Sequence, residues 1–164
     1  MTTTDDDTVS VTRRIGARAH QVFALLTDPA KHPEFDGSGM LRDGSGNATI
    51  AALGDVFVMK MHNQTLGDYE ISNHVVEFVP DQRIVWEPAI SAVSQPEHVG
   101  RVGERMGHRW GYDLAADGTE TVVTEFYDCS RAPEDLRNRL KNGQVWLDAM
   151  TTTLERLDEQ CGGL

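Results

Sequence analysis

The C-terminal segment of the chain most constrains its fold, because it carries one continuous apolar stripe and no interior proline. Between Pro133 and Glu159, apolar or small residues recur at steps of three and four: Leu136, Leu140, Gly143, Leu147, Met150, Leu154 and Leu157. This spacing places them on one face of a helix, and that face must be buried against another element. The segment therefore predicts one unbroken helix over residues 133–159, roughly 35–40 Å long.

The middle of the chain predicts an antiparallel sheet that can cover this stripe. Apolar and polar residues alternate with a period of two, as is typical of half-buried strands, over residues 55–63, 68–80, 83–90, 107–118 and 119–130. Residues 8–15 add a strand rich in β-branched side chains, and "NATIAAL" (47–53) adds a weaker one. The polar segment 91–106 predicts a longer loop. Short turns such as "PDQ" and "ADG" indicate an antiparallel meander.

Two short helices are predicted between the first strand and the rest of the sheet. "RAHQVFALLT" places Val22, Phe23 and Leu26 at helical spacing. Asp28 followed by Pro29 is typical of an N-cap with proline in the first turn. Pro33 predicts that the second helix lasts only about one turn. We expect these helices to fill the gap at the end of the sheet, with the glycine loop "DGSG" leaving them.

Together these elements predict an α+β fold in which a curved antiparallel sheet of about six to seven strands grips a long C-terminal helix. The length of 164 residues favours a single domain, placed at residues 8–160. Residues 1–7 ("MTTTDDD") predict a disordered acidic tail, and residues 161–164 a second short tail.

Composition excludes several classes of function. A net charge of −11 argues against binding to nucleic acid, whose phosphates require basic patches. No apolar run reaches the roughly 20 residues of a membrane span, and the start lacks the basic and apolar regions of a signal peptide. A cytoplasmic protein is the expectation. The two cysteines and six histidines show no metal-ligand spacing, so no metal and no cofactor is predicted. A homodimer is left open.

The chain resembles the START-like helix-grip superfamily (SRPBCC), which includes polyketide cyclases, START lipid-transfer domains and pollen-allergen proteins. The resemblance runs from Val9 to Gln160 and is carried by "VFALLTDPAKHPEFDGSG", "VVEFVPDQRIVWEP", "GHRWGYDLAADGTETVVTEFYD" and "WLDAMTTTLERL". It implies an internal cavity between the sheet and the long helix, usually holding a hydrophobic ligand. It does not imply one reaction, because many functions use this fold.

Strand alternation predicts which side chains would line such a cavity. In "DVFVMKMHN" the inward set is Phe57, Met59 and Met61, because Lys60 and His62 prefer water. In "GHRWGYDL" the more apolar face also carries hydrogen-bonding groups. The full set of predicted ligand-binding residues is Phe57, Met59, Met61, Trp86, His108, Trp110, Tyr112, Trp146, Leu147 and Met150. Ordinary core packing is the alternative for each of them, above all for Trp86 and Trp146.

Three hypotheses for the function follow. The leading one is binding or transport of a small hydrophobic or aromatic ligand. The second is a polyketide cyclase, aromatase or dehydratase that uses His108 or His74 as acid–base, with Glu125 and Asp128 as further titratable candidates. No nucleophile motif such as G-x-S-x-G is present. The third is an interaction protein resembling the helix-grip activators of the Hsp90 ATPase. For the first two, we expect "DGSG" and the 91–106 loop to form mobile rims of the pocket.

Overall fold

The computed structural model describes residues 1–95 and 101–162, and within them one antiparallel sheet of eight strands dominates. The strands are β1 (Thr2–Asp5), β2 (Thr8–Ile15), β3 (Leu41–Asp43), β4 (Val56–Asn63), β5 (Gly67–Val79), β6 (Arg83–Val93), β7 (Arg109–Asp117) and β8 (Glu120–Asp128). Their order across the sheet is β1-β2-β8-β7-β6-β5-β4-β3. The strands from β3 to β8 thus form a continuous meander, and the N-terminal hairpin joins it beside β8.

The helices lie in two groups. Helix α1 (Ala19–Leu26), a 3₁₀ turn (Pro29–Lys31) and α2 (His32–Phe35) connect β2 to β3. Helix α3 (Glu134–Arg139), a 3₁₀ segment (Lys141–Trp146) and α4 (Leu147–Cys161) follow β8. Helix α4 packs on β2, β8, α1 and α2, which gives the predicted α+β arrangement of sheet and C-terminal helix. In the described part of the chain, no helix combines the length and apolarity needed to span a membrane.

The cap and the packed face of the short helices form as the local sequence predicts, but Pro33 does not end the second helix. It lies instead in the first turn of α2, where a proline needs no backbone N–H partner. The Asp28 side chain accepts a hydrogen bond from the backbone N–H of Ala30 at 3.1 Å, and Pro29 occupies the first turn. Val22, Phe23 and Leu26 are buried on one face of α1. Because α1 and α2 both contact α4, they support the C-terminal helix at the end of the sheet.

The strand count was predicted too low, since β1 and β3 were not foreseen. Residues 2–5 pair with β2 instead of forming a disordered tail, and the Met1 ammonium donates to the Thr12 carbonyl at 2.7 Å. Three consecutive threonines, which favour extended backbone, make this pairing favourable.

The weak strand predicted near residues 47–53 is wrong. Asn47 uses its side chain to accept from Val58 N–H at 2.9 Å and to donate to Val58 C=O at 2.7 Å. The amide thereby takes the place of a strand at this point on the edge of β4. Ile50 is instead buried in a loop, and its N–H donates to the Thr27 carbonyl at 2.8 Å.

The predicted C-terminal helix is present but not continuous. Asn142 (φ 52°) and Gly143 (φ 90°) adopt left-handed backbone conformations and separate α3 from α4. A Cβ on Gly143 would lie 2.5 Å from Tyr127 Cδ1 and 3.0 Å from Val9 Cγ2. The glycine therefore allows the backbone to approach the sheet, and it is not part of a helical stripe. Leu147, Met150, Leu154 and Leu157 keep their helical spacing on α4.

The predicted loop at 91–106 begins later than expected, because β6 extends to Val93. Residues 96–100, which belong to this predicted loop, lie outside the described residues.

Candidate functional site

A cavity of about 210 Å³ lies between the sheet and α4, and the segment from α2 to β3 closes one side of it. Strands β4 to β8 contribute side chains from one face of the sheet. Helix α4 contributes Met150 and Thr153, and the 3₁₀ segment before it contributes Trp146. Most of the lining side chains are aromatic, aliphatic or methionine, as is usual for pockets that bind small organic molecules.

Nine of the ten predicted ligand-binding residues line this cavity: Phe57, Met59, Met61, Trp86, His108, Trp110, Tyr112, Trp146 and Met150. Alternation along β4 and β7 directs the predicted residues of both strands to the same face of the sheet. Leu147 does not line the cavity and is instead half-buried against the core.

The candidate acid–base residues are divided by the fold. His108 and Glu125 line the cavity, whereas His74 does not. Its neighbour Asn73 faces the cavity, so the alternation of β5 directs His74 to the other face of the sheet. Asp128 also lies outside, where it accepts from the Ser130 N–H at 2.8 Å.

One wall of the cavity is an aromatic cluster centred on Trp86. Its ring lies 5.3 Å from that of Phe57 in a T-shaped arrangement and 5.9 Å from that of Tyr112. The His32 imidazole stacks on the same indole at 5.6 Å. Aromatic contacts on several sides restrict the orientation of the indole, so this wall is formed before any ligand binds.

A second wall is formed by Trp110 and Trp146, and the Tyr127 ring, which does not line the cavity, packs against both of them. The Trp110 ring lies 4.7 Å from Tyr127 and 5.5 Å from Trp146. His108 Nδ1 and the Tyr127 hydroxyl share a hydrogen bond of 3.2 Å. Burial lowers the pKa of His108 to about 4, although Glu87 partly opposes the shift. The imidazole is therefore neutral near pH 7.

His32 is a cavity residue that the sequence did not reveal as one. It is buried, and its Nε2 donates to the Leu26 carbonyl at 2.7 Å. A carbonyl can only accept, so the ring proton lies on Nε2 and Nδ1 remains an acceptor. Burial lowers the pKa of His32, and the hydrogen bond to Leu26 opposes the shift. Its position beside Pro33 predicted only a short helix, and no local pattern indicates burial.

Glu125 is the most unusual polar group of the site. It alternates with Val123 and Tyr127 on the inward face of β8, and it stands opposite Tyr112 in the register with β7. Burial is the main cause that raises its pKa to about 8; Asp36 adds to the shift and the Tyr112 hydroxyl opposes it. Among the described residues, its Oε2 has no hydrogen-bond partner. The carboxyl group is therefore buried, mostly protonated at neutral pH, and incompletely satisfied.

The "DGSG" loop lies at the cavity, as predicted, but it is tied down. The Asp36 carboxylate accepts from Ser38 N–H at 3.0 Å and from Leu41 N–H at 3.2 Å. Gly37 N–H donates to Thr153 Oγ1 at 2.9 Å, and a Cβ on Gly37 would overlap the backbone of α4 at Ala149. Asp36 and Ser38 line the cavity. The mobility of this rim stays a prediction.

The cavity lining has carboxyl groups but no lysine or arginine within the ranges 1–95 and 101–162. In the same ranges, no three His, Cys, Asp or Glu side chains are grouped to hold a metal ion. The chemistry that the site offers is therefore that of aromatic faces, neutral imidazoles, indole donors and a protonated carboxyl group.

The fold and cavity define a helix-grip-like α+β protein, and comparison with solved structures supports this class. Protein Ms6760 from Mycobacterium smegmatis matches with a TM-score of 0.67 at 12% identity, over 99% of this chain and 97% of its own. A protein from Arthrobacter aurescens matches with a TM-score of 0.70 at 12% identity, over 100% and 92%. DynU16, from the dynemicin biosynthetic locus, matches with a TM-score of 0.55 at 20% identity, over 94% and 47%. These likenesses show the fold alone.

Among curated sequences, the chain is similar to the uncharacterized protein Rv0088 of Mycobacterium tuberculosis. The identity is 32% over 139 residues, which cover 82% of this chain and 51% of the relative. A second M. tuberculosis protein, MT0096, is 31% identical over the same length and shares. The chain thus spans about half the length of the curated relatives it matches. No protein-family profile matches it.

Proposed function

We propose that the chain is a START-like (SRPBCC) protein that binds a small, largely apolar aromatic ligand in the cavity between the sheet and α4. The observation that carries this proposal is a preformed, aromatic-walled space of about 210 Å³ with an unpartnered polar atom, Glu125 Oε2, in its lining. A dry cavity of about 150 Å³ holds benzene. The space therefore suits a molecule of one or two fused rings.

The polar groups of the cavity also support a ligand. Trp146 Nε1 is a second buried atom that has no hydrogen-bond partner within the described residues. A buried polar atom without a partner costs about 1–3 kcal/mol. A ligand that accepts from the indole or bonds to Glu125 would remove part of this cost on binding.

Native mass spectrometry of freshly purified protein tests whether a small molecule is retained. In a second experiment, naphthalene is titrated as a purely apolar probe, and its binding is monitored by two-dimensional NMR. The chain has three tryptophans, Trp86, Trp110 and Trp146, and all three line the cavity. Their indole N–H signals therefore report directly on occupancy, and we expect all three to shift on titration.

A matched pair of variants locates the binding site. Met61 lines the cavity, whereas Val58 on the same strand is exposed. We expect Met61→Trp to weaken naphthalene binding at least tenfold because the larger ring occupies the space, and Val58→Trp to leave it unchanged. Equal binding by both variants, or no binding by the unmodified protein, would contradict the proposal.

A second candidate function is acid–base catalysis of the polyketide cyclase or dehydratase type. Its specific support is that neutral imidazoles at His32 and His108 share one cavity with the protonated carboxyl group of Glu125. DynU16, which shares the fold, comes from a biosynthetic locus. The substrate to offer is a neutral N-acetylcysteamine thioester of a poly-β-ketone. Cyclised or dehydrated product that is lost in His108→Gln and kept in His20→Gln, at an exposed site, would favour an enzyme.

A further inference from the structure

The polar groups around the cavity are arranged to discriminate between ligands by charge. Glu125 is 5% exposed, faces Tyr112 across β7 and β8, and leaves Oε2 without a partner among the described residues. On the side formed by the loop after α2, Asp36 adds a second carboxyl group to the lining. Two acidic side chains thus lie around one small apolar space.

Within the described parts of the chain, no lysine or arginine side chain lines the cavity beside these two carboxyl groups. Arg109 alternates with Trp110 and therefore points to the other face of β7, where its Nε donates to Glu87 at 3.0 Å. Arg156 donates to the backbone carbonyl of Asp36 from an exposed position on α4, and it does not line the cavity. His32 donates Nε2–H to the Leu26 carbonyl, so its remaining nitrogen is an acceptor and not a positive centre.

We infer that this cavity selects aromatic ligands that carry a hydrogen-bond donor for Glu125 and rejects aromatic carboxylates of the same shape. This inference rests on the proposed function and adds the ligand class. A ligand hydroxyl or ammonium group placed at Oε2 would satisfy the atom that the fold leaves unpaired. A ligand carboxylate would instead be buried without a cation, next to Asp36, which is unfavourable in a medium of low polarity.

Four probes that share the naphthalene ring system separate these effects at pH 7. They are naphthalene, 2-naphthol, 2-naphthoate and 2-naphthylmethylammonium. We expect 2-naphthol to bind about fivefold to tenfold tighter than naphthalene, as one added hydrogen bond allows. We expect 2-naphthoate to bind at least tenfold weaker than 2-naphthol. The ammonium probe shows whether the favoured donor is neutral or charged, and tighter binding than naphthalene by either donor supports the inference.

Variants of Glu125 identify the responsible group. In Glu125→Leu the advantage of 2-naphthol over naphthalene should disappear while naphthalene still binds. In Glu125→Gln, which keeps a hydrogen-bond acceptor, that advantage should persist. The control is Glu77→Gln, which removes one acidic group from an exposed position bonded to Arg83. It should leave the ratio of 2-naphthol to 2-naphthoate affinity unchanged, and the NMR spectrum of each variant shows that it is folded.

The possible results distinguish a failure of this inference from a failure of the proposed function. If none of the four probes binds, the proposed function itself fails. If naphthalene binds but 2-naphthoate binds as tightly as 2-naphthol, the cavity is used without charge selection and the inference is overturned. The same holds if Glu125→Leu keeps the full preference for 2-naphthol, because another group would then recognise the hydroxyl.

Discussion

Replacing Glu125 with glutamine should make the protein less sensitive to rising pH. Glutamine has nearly the same shape and never ionises, so the change removes one titrating proton and keeps the packing. The pKa of Glu125 is raised by burial from 4.5 to about 8 in the folded protein. Between these two pH values the folded state holds a proton that the unfolded state has released. The free energy of unfolding of the unmodified protein should therefore fall as the pH rises through this window.

The size of the effect follows from the two pKa values. Within this pH window, the folded state binds one proton more than the unfolded state. The free energy of unfolding therefore changes by ~1.4 kcal/mol per pH unit. Between pH 5 and pH 7, the unmodified protein should thus lose about 2–3 kcal/mol relative to Glu125→Gln. Below the unfolded pKa the Glu125 contribution is fully present, and above pH 8 the difference between the two proteins should level off.

The assay is urea unfolding of both proteins at several pH values from 5 to 8. Equal slopes of the free energy of unfolding against urea concentration would show that the two unfolded states are alike. His32 and His108 act in the opposite direction, because their pKa values are lowered and their contribution is lost as the pH falls below 6.5. Both histidines remain in the variant, so their effect cancels in the difference. Tyr112, opposite Glu125, has a pKa raised well above 10 and does not titrate here.

Glu77→Gln provides the control for a general loss of one acidic group, since Glu77 is exposed on the other face of the sheet. We expect its stability difference from the unmodified protein to vary little over the same pH range. A constant difference between Glu125→Gln and the unmodified protein from pH 5 to pH 8 would refute the reasoning. It would mean that Glu125 is hydrated or paired in solution, and not buried as a neutral acid.

Three further predictions test other parts of the structure. Gly143→Ala should lower the free energy of unfolding by at least about 2 kcal/mol, measured by urea unfolding, because the new Cβ would meet Tyr127 at a left-handed backbone position; an unchanged midpoint would contradict this. Leu154→Ala, at a fully buried site, should cost about 2–5 kcal/mol, whereas Met150→Ala should cost on the order of 1 kcal/mol and alter naphthalene binding, since Met150 already borders an empty space; equal costs with unchanged binding would make Met150 ordinary core. The His108 imidazole should stay neutral from pH 8 down to pH 5.5 in an NMR titration, because its pKa is lowered to about 4, and a transition near pH 6.5 would show that it is solvated.

The sequence predicted the parts of the site that depend on local periodicity. Phe57, Met59 and Met61 on β4, and Trp110 and Tyr112 on β7, lie where a period of two places them, because alternation along one strand is independent of the rest of the fold. That alternation locates the cavity wall but does not show that a space lies in front of it.

The features that the sequence could not show depend on contacts between distant segments. The break at Gly143 exists because the backbone approaches Tyr127 and Val9, and steps of three and four alone do not reveal it. The local signal is the pair Asn142 and Gly143, because both residue types tolerate left-handed conformations. The burial of His32 depends on Trp86, which belongs to a strand more than fifty residues later in the chain.

The strand order has a consequence for how the cavity is completed. Glu125 lies on β8, which is flanked by β7 on one side and by β2 on the other. The β2 partner is synthesised well before β8, and the Thr12–Thr124 hydroxyl pair joins residues 112 positions apart. Pairings over such a separation form late and slowly, because a long chain segment must first be closed into a loop. The apolar residues of β2 must therefore remain without their β8 partner until β8 has left the ribosome. A nascent or truncated chain that stops before β8 has no Glu125, so this wall of the cavity is incomplete until β8 joins the sheet.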